Sequence, residues 1–250
     1  MIRIEHISKR FRKLQALNDI SGLLSEGQVV SLIGPNGSGK TTLIKSILGM
    51  VKPGSGHIYV NGTQINGDPS YKSDIGYMPQ IGRYPDNMKV GQLFSMMKNI
   101  RPMPESEYDT DLLVKFNLVS IFDKPMRTLS GGTRQKVSAA LAFYFNPKIL
   151  ILDEPTAGLD PLSSEILKEK IMHEKNKNKL ILITSHILSD LDELTTHVMY
   201  LQEGNMIFLK DIASLKEETH EEKLGKAIAK VMRIERKEAL WVNEVLTVKF

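Results

Sequence analysis

An α/β fold with a parallel central sheet is what this sequence predicts, on three observations. First, Gln28–Ile33, Lys148–Leu152 and Leu180–Thr184 are short, continuous apolar runs. Strands read this way when helices cover both faces of a sheet. Second, Ile2–Ile7 alternates apolar and polar residues, and Gly56–Val60 runs into Asn61-Gly62. Alternation and a tight-turn dipeptide place an antiparallel β region near the start. Third, helical spacing takes over from about Pro85 to Asn146, with Leu93, Met96, Met97 and Ile100, then Leu112, Leu113 and Phe116. This stretch reads as a helical insertion into the core, interrupted at Pro102 and Pro104.

The composition agrees with a globular core. Of the 250 residues 41% are hydrophobic and 25% charged, which is ordinary for a folded domain. Cysteine is absent, which excludes disulfides, thiolate zinc sites and iron–sulfur clusters. The net charge of +4 suits an anionic ligand but is small for a nucleic-acid binder, so no nucleic-acid partner is expected. The N-terminus alternates and carries charge early, unlike a signal peptide. Its apolar runs fall far short of the ~20 residues a membrane span needs. The expected division is a core domain over residues 1–210, with the insertion at about 85–146, and a short helical extension over 211–250. In that extension Leu224, Ile228 and Val231 share a helical face, which reads as packing against the body.

Chemistry concentrates at three places. Gly34-Pro35-Asn36-Gly37-Ser38-Gly39-Lys40-Thr41 matches G-x-x-x-x-G-K-[ST], follows a strand and opens a helix starting near Thr42. Glycines let backbone N–H groups cradle phosphate oxygens, and the helix turns its positive end toward the same anion. Lys40 would reach the β and γ phosphates and Thr41 would give a hydroxyl to Mg²⁺. Ile149–Leu152 runs into Asp153-Glu154, a strand ending in two carboxylates. Beside a phosphate loop, Asp153 suits the second anchor for Mg²⁺ and Glu154 the base for an attacking water. In isolation Asp-Glu-Pro would be only a cap or a loop. Leu129-Ser130-Gly131-Gly132-Thr133 precedes a strong helix pattern from Arg134. Ser130 suits an N-cap, and the glycines open the helix start to an anion. Taken alone, this segment is better read as a capped helix start. His57 and His197 read as structural histidines.

In this order, over about residues 1–210, these motifs resemble the ATP-binding-cassette (ABC) ATPases. Gly34–Thr41 is similar to the Walker A loop, Ile149–Glu154 to Walker B and Leu129–Thr133 to the family's signature sequence. Gln80, after Gly76-Tyr77-Met78-Pro79, resembles the Q-loop glutamine, Gly158-Leu159-Asp160 the D-loop and His186 the switch histidine. The resemblance implies a P-loop NTPase, RecA-like core and an ATP- and Mg²⁺-dependent ATPase. It implies nucleotide contacts from Phe11, Thr42, Gln80, Ser130, Gly131 and Gly132 besides Gly34–Thr41. It implies metal contacts from Thr41, Gln80 and Asp153, catalytic roles for Lys40, Glu154 and His186, and Asp160 at a dimer interface. Two copies would sandwich two nucleotides and drive a separate integral membrane permease from the cytoplasmic face of the membrane. Two departures stand out: Thr133 where the family usually has glutamine, and Phe11 where tyrosine is commoner. Ile75–Asp86 and Glu222–Ala227 further resemble the NosF type of cassette, which serves maturation of the copper centres of nitrous oxide reductase.

Overall fold

The apolar runs become the buried centre of a six-stranded sheet. A computed structural model describes residues 1–65, 67–185 and 193–233. β1 (Ile2–Phe11), β2 (Leu14–Leu24), β4 (Ser55–Val60) and β5 (Thr63–Gln64) form an antiparallel sheet in the order β2-β1-β4-β5. β3 (Val29–Ile33), β6 (Ile75–Met78), β7 (Ile149–Asp153), β8 (Leu180–Thr184), β9 (His197–Gln202) and β10 (Asn205–Asp211) form the larger sheet, in the order β10-β9-β3-β8-β7-β6. Its strands are parallel except β10, which pairs antiparallel with β9 at one edge. Every residue of β3, β7 and β8 is buried.

The two faces of that sheet meet different layers. Leu150, Leu152, Ile181 and Ile183 pack with α2 (Val90–Ile100), α4 (Gly131–Tyr144) and α5 (Pro161–Asn176). Ile149, Ile151, Leu180 and Leu182 pack with Ile4 and Ile7 of β1, Ile20 of β2, Ile58 of β4, and Leu43 and Ile44 of α1 (Lys40–Ile47). The continuous runs are thus explained, but with a correction. The second face is covered largely by the antiparallel sheet and one helix, not by helices alone. Any apolar layer gives the same strand signature, because burial and not the identity of the cover sets it.

Between β6 and β7 the described chain has helices, including the short α3 (Asp111–Lys115), and no strand beyond one isolated antiparallel bridge between Lys89 and Pro125. Asn61 and Gly62, both at positive φ, make the predicted tight turn between β4 and β5. At the other end, α6 (Ile212–Thr219) and helical residues 224–233 lie against the larger sheet. Leu224 and Ile228 are buried there, and Val231 is partly buried, as their spacing requires.

A charged cluster ties the insertion to α5. Lys170, 2% exposed, places Nζ 2.5 Å from Asp109 and 2.9 Å from Glu174. Glu174 is fully buried and also meets Lys177 at 3.1 Å and Lys179. Burial alone would raise the Glu174 pKa, but the two ammoniums of Lys179 and Lys170 outweigh it and hold it at about 2. Its stabilisation is therefore complete above its unfolded value of 4.5 and is lost as pH falls toward about 2. Glu174→Gln leaves the largely buried Lys179 ammonium without its carboxylate and should cost about 3–5 kcal/mol, read as a lower urea midpoint at neutral pH. The gap between variant and wild type should shrink on titration through that acid window. An unchanged midpoint would show the cluster to be energetically neutral.

Candidate functional site

The loop between β3 and α1 has its shape forced by close backbone contacts. A methyl at Gly34 would collide with the Leu201 carbonyl of β9. At Gly39, where φ is +107°, it would sit 2.5 Å from the Ala16 carbonyl of β2. Gly37, at φ +81°, has no neighbour within 4 Å and faces open space. The turn before β10 braces the loop from below, where Gly204 N–H donates to the Ser38 carbonyl at 3.0 Å. Helix α1 starts at Lys40, two residues earlier than the sequence suggests, so Lys40 and Thr41 both sit in its first turn.

The helix start is built for an anion. It has no side-chain cap and no acidic residue in its first turn, so its positive end is uncompensated by the chain itself. Ser38 Oγ is buried without a hydrogen-bond partner among the described residues. Lys40 Nζ folds back onto the carbonyls of Gly34 at 2.7 Å and Pro35 at 3.1 Å, contacts a phosphate would replace. These features fit a nucleotide's phosphates. Thr41 and Thr42 follow, exposed and half-buried.

The carboxylates stand at the end of β7. Asp153 is buried and its Oδ1 accepts the Thr184 hydroxyl at 2.5 Å. Glu154 sits at φ +51°, a conformation that non-glycine residues adopt only under constraint. The constraint is visible: its N–H donates to the Thr184 carbonyl at 3.1 Å and to the Thr184 hydroxyl at 2.9 Å. Thr184 thus locks both carboxylate residues, a role the sequence reading missed. The available signal was its place at the end of a core strand paired with β7, opposite Asp153.

Electrostatics join these groups into one site. Burial pushes the Asp153 pKa up, the Thr184 hydroxyl opposes this, and the neighbouring Glu154 charge adds to it. Burial lowers the Lys40 pKa, against the pull of Glu154 and Asp153. Burial and the Asp153 charge together push the Tyr77 phenol of β6 up to about 12. The carboxylate of Asp153 and the hydroxyl of Thr41 are hard oxygen donors of the kind Mg²⁺ takes, so these residues fit that ion.

The other predicted residues take these places. Phe11 ends β1 and is 45% exposed, and Lys9 Nζ lies 5.2 Å from its ring centroid. Gln80 is exposed just past β6. Ser130 is the N-cap of α4 and accepts Thr133 N–H at 3.2 Å, while the two hydroxyls lie 2.8 Å apart. Thr133 is therefore engaged with Ser130 itself. Gly131 is exposed and Gly132 half-buried. Asp160 caps α5 through Ser163. His57 and His197 are held by Gln64 and Gln28, at 2.7 and 3.0 Å. His186 lies outside the described residues.

Known proteins share this arrangement. The family model described as ABC transporter matches residues 17–157, more than half of the chain. The ABC transporter ATP-binding protein YtrB of Bacillus subtilis is 31% identical, over 87% of this chain and 74% of its own length. The lantibiotic transport ATP-binding protein SrtF of Streptococcus pyogenes is 33% identical, over 84% of this chain and 91% of its own. A solved structure of an ATP-binding subunit of an ABC transporter superposes with a TM-score of 0.87 at 26% identity, covering 93% of this chain and 99% of that one.

Proposed function

Because this chain belongs to the ABC transporter family and is an ATPase that uses ATP with Mg²⁺, we propose that two copies close head to tail over two nucleotides and drive a separate membrane permease. The observation that carries the residue roles is the uncapped start of α1, with Lys40 in its first turn, sharing one field with Asp153 and Glu154. The backbone of Gly34–Gly39, Thr41 and Thr42 holds the phosphates, and Phe11 offers a ring face to adenine. Asp153, Thr41 and Gln80 would hold Mg²⁺, which supplies charge neutralisation on the phosphates when bound. Glu154 takes a proton from water as the water oxygen bonds to the γ-phosphorus. The bond from that phosphorus to the β–γ bridging oxygen breaks, and ADP and phosphate leave. Lys40 stabilises the charge that gathers on the transferred group. In this reading Ser130, Gly131 and Gly132 close over the nucleotide bound by the second copy, Asp160 lies at the interface, and His186 contacts the γ-phosphate.

Closure with ATP and release after hydrolysis is a population shift driven by contacts to one phosphoryl group. No helix among the described residues is long and apolar enough to cross a membrane. In the proposal, work is delivered to another protein, on the cytoplasmic face of the membrane. Residues Ile81–Met97 are the proposed docking region, and Ile81 is 68% exposed. Purification of the tagged chain from native membranes should bring down a stoichiometric integral membrane protein. Recovery of the chain alone, or with salt-sensitive DNA binding, would overturn the permease reading.

For cargo, the likeness of Ile75–Asp86 and Glu222–Ala227 to the NosF type supports a role in copper or sulfur handling for nitrous oxide reductase. A co-purifying permease of any other exporter class would replace that assignment. Under either reading copper belongs elsewhere, and metal analysis of the pure chain should find none tightly bound.

A further inference from the structure

The end of β1 carries a contact that the phosphate site does not use. Lys9 and Phe11 lie two places apart on this strand, a spacing that puts side chains on one face of a sheet. Lys9 Nζ, 5.2 Å from the Phe11 ring centroid, is within the range at which a ring's quadrupole holds a cation. The same ammonium donates to the Lys52 carbonyl at 2.7 Å. Lys9 is half-buried, whereas Phe11 is exposed.

The carbonyl that Lys9 grips is itself held. Met50 and Val51 N–H groups both donate to the Lys45 carbonyl of α1, at 2.8 and 3.1 Å, so the chain leaving that helix is fixed up to Lys52. On the far side of Lys52, Gly54 N–H donates to the Ser8 carbonyl at 2.7 Å, and Ser55 of β4 pairs with Ser8 of β1. One ammonium thus joins the aromatic ring to the segment that follows the helix of the phosphate loop.

A phenylalanine has no hydroxyl by which a neighbour could hold it. Phe11 ends its strand at 45% exposure, so a free ring would sample several rotamers and lose that freedom when a base stacks on it. A cation on one face removes part of that freedom beforehand. It also draws the ring's electrons toward itself, which lessens the repulsion that an electron-rich base meets on the other face.

We propose that Lys9 is a positioning residue for the nucleobase, clamping the Phe11 ring to the chain leaving α1 and so fixing the base platform relative to the phosphate loop. This role rests on the reading of Phe11 as the adenine platform. Lys9 acts through the ring and not on the phosphates, which distinguishes it from a lysine that merely attracts an anion.

The test is a calorimetric titration of the full chain with ADP, which carries the base and undergoes no turnover. Lys9→Met should weaken ADP binding about two- to five-fold, the worth of an exposed cation–π contact. Lys9→Arg, whose guanidinium also stacks on a ring, should recover most of the loss. In ATP turnover the loss should fall on KM and not on kcat. In a Phe11→Ala background, Lys9→Met should have no further effect on ADP affinity. An equal Lys9 effect without the ring would show plain charge attraction and overturn the clamp. Phe11→Ala alone separates the premises. If it leaves ADP affinity unchanged, the platform reading falls and the clamp with it. If it weakens ADP binding while Lys9→Met does not, the clamp alone falls.

Discussion

Glu154→Gln should reduce ATP turnover by about 10²–10⁴-fold, the range a positioned general base contributes. The substitution keeps the shape of the side chain and removes only its capacity to take a proton. The backbone that fixes it is untouched, because Thr184 holds the N–H of residue 154 through its carbonyl and its hydroxyl. The proposed Mg²⁺ ligands Thr41, Gln80 and Asp153 are unchanged, so metal and nucleotide binding should be kept. The variant should bind Mg²⁺ and ATP and stay in the closed state. Light scattering should then find twice the monomer mass with ATP and the monomer mass with ADP. Turnover within tenfold of wild type would remove Glu154 from the role of base and direct attention to another group on the same strand end.

Lys40→Met should weaken ATP binding roughly 10- to 100-fold, the worth of one or two hydrogen bonds from a charged donor. The fold should tolerate it, because Lys40 is only half-buried and its bonds go to loop carbonyls. ADP binding should suffer less than ATP binding, since the γ-phosphate contact exists only for ATP. A titration with fluorescent analogues of both nucleotides reads the difference directly. Equal affinity for ATP in variant and wild type would mean that the α1 N-terminus alone holds the phosphates.

Much of this molecule was legible in the letters. The phosphate loop could be read because its glycines answer a backbone requirement. Gly34 and Gly39 each lie against a carbonyl that leaves no room for a side chain. The core strands could be read because burial on both faces removes polar residues from a run altogether. β2 was harder: Asn18 and Asp19 interrupt it, Asp19 takes a positive φ and the register with β1 shifts at several points, so alternation is lost. β6 is four residues long and includes Gly76, too brief for a period to show. β9 and β10 form a hairpin whose Glu203-Gly204 turn carries no asparagine or aspartate signal. At the site, the role of Thr184 depends on strand order, since β8 is adjacent to β7 only in the folded sheet.

That sheet has a consequence for how the chain can vary over generations. Ile151 and Leu152 are neighbouring letters, yet the first touches the layer of β1 and α1 and the second the layer of α2, α4 and α5. A volume change at Ile151 must be compensated among residues that shape the floor of the nucleotide loop. One at Leu152 must be compensated within the insertion and its supporting helices. Adjacent positions of one strand should therefore drift with different partners. Coordinated substitution should skip from every residue to the next but one, so that the helical half can be remodelled for a new docking partner while the phosphate-binding half stays as it is.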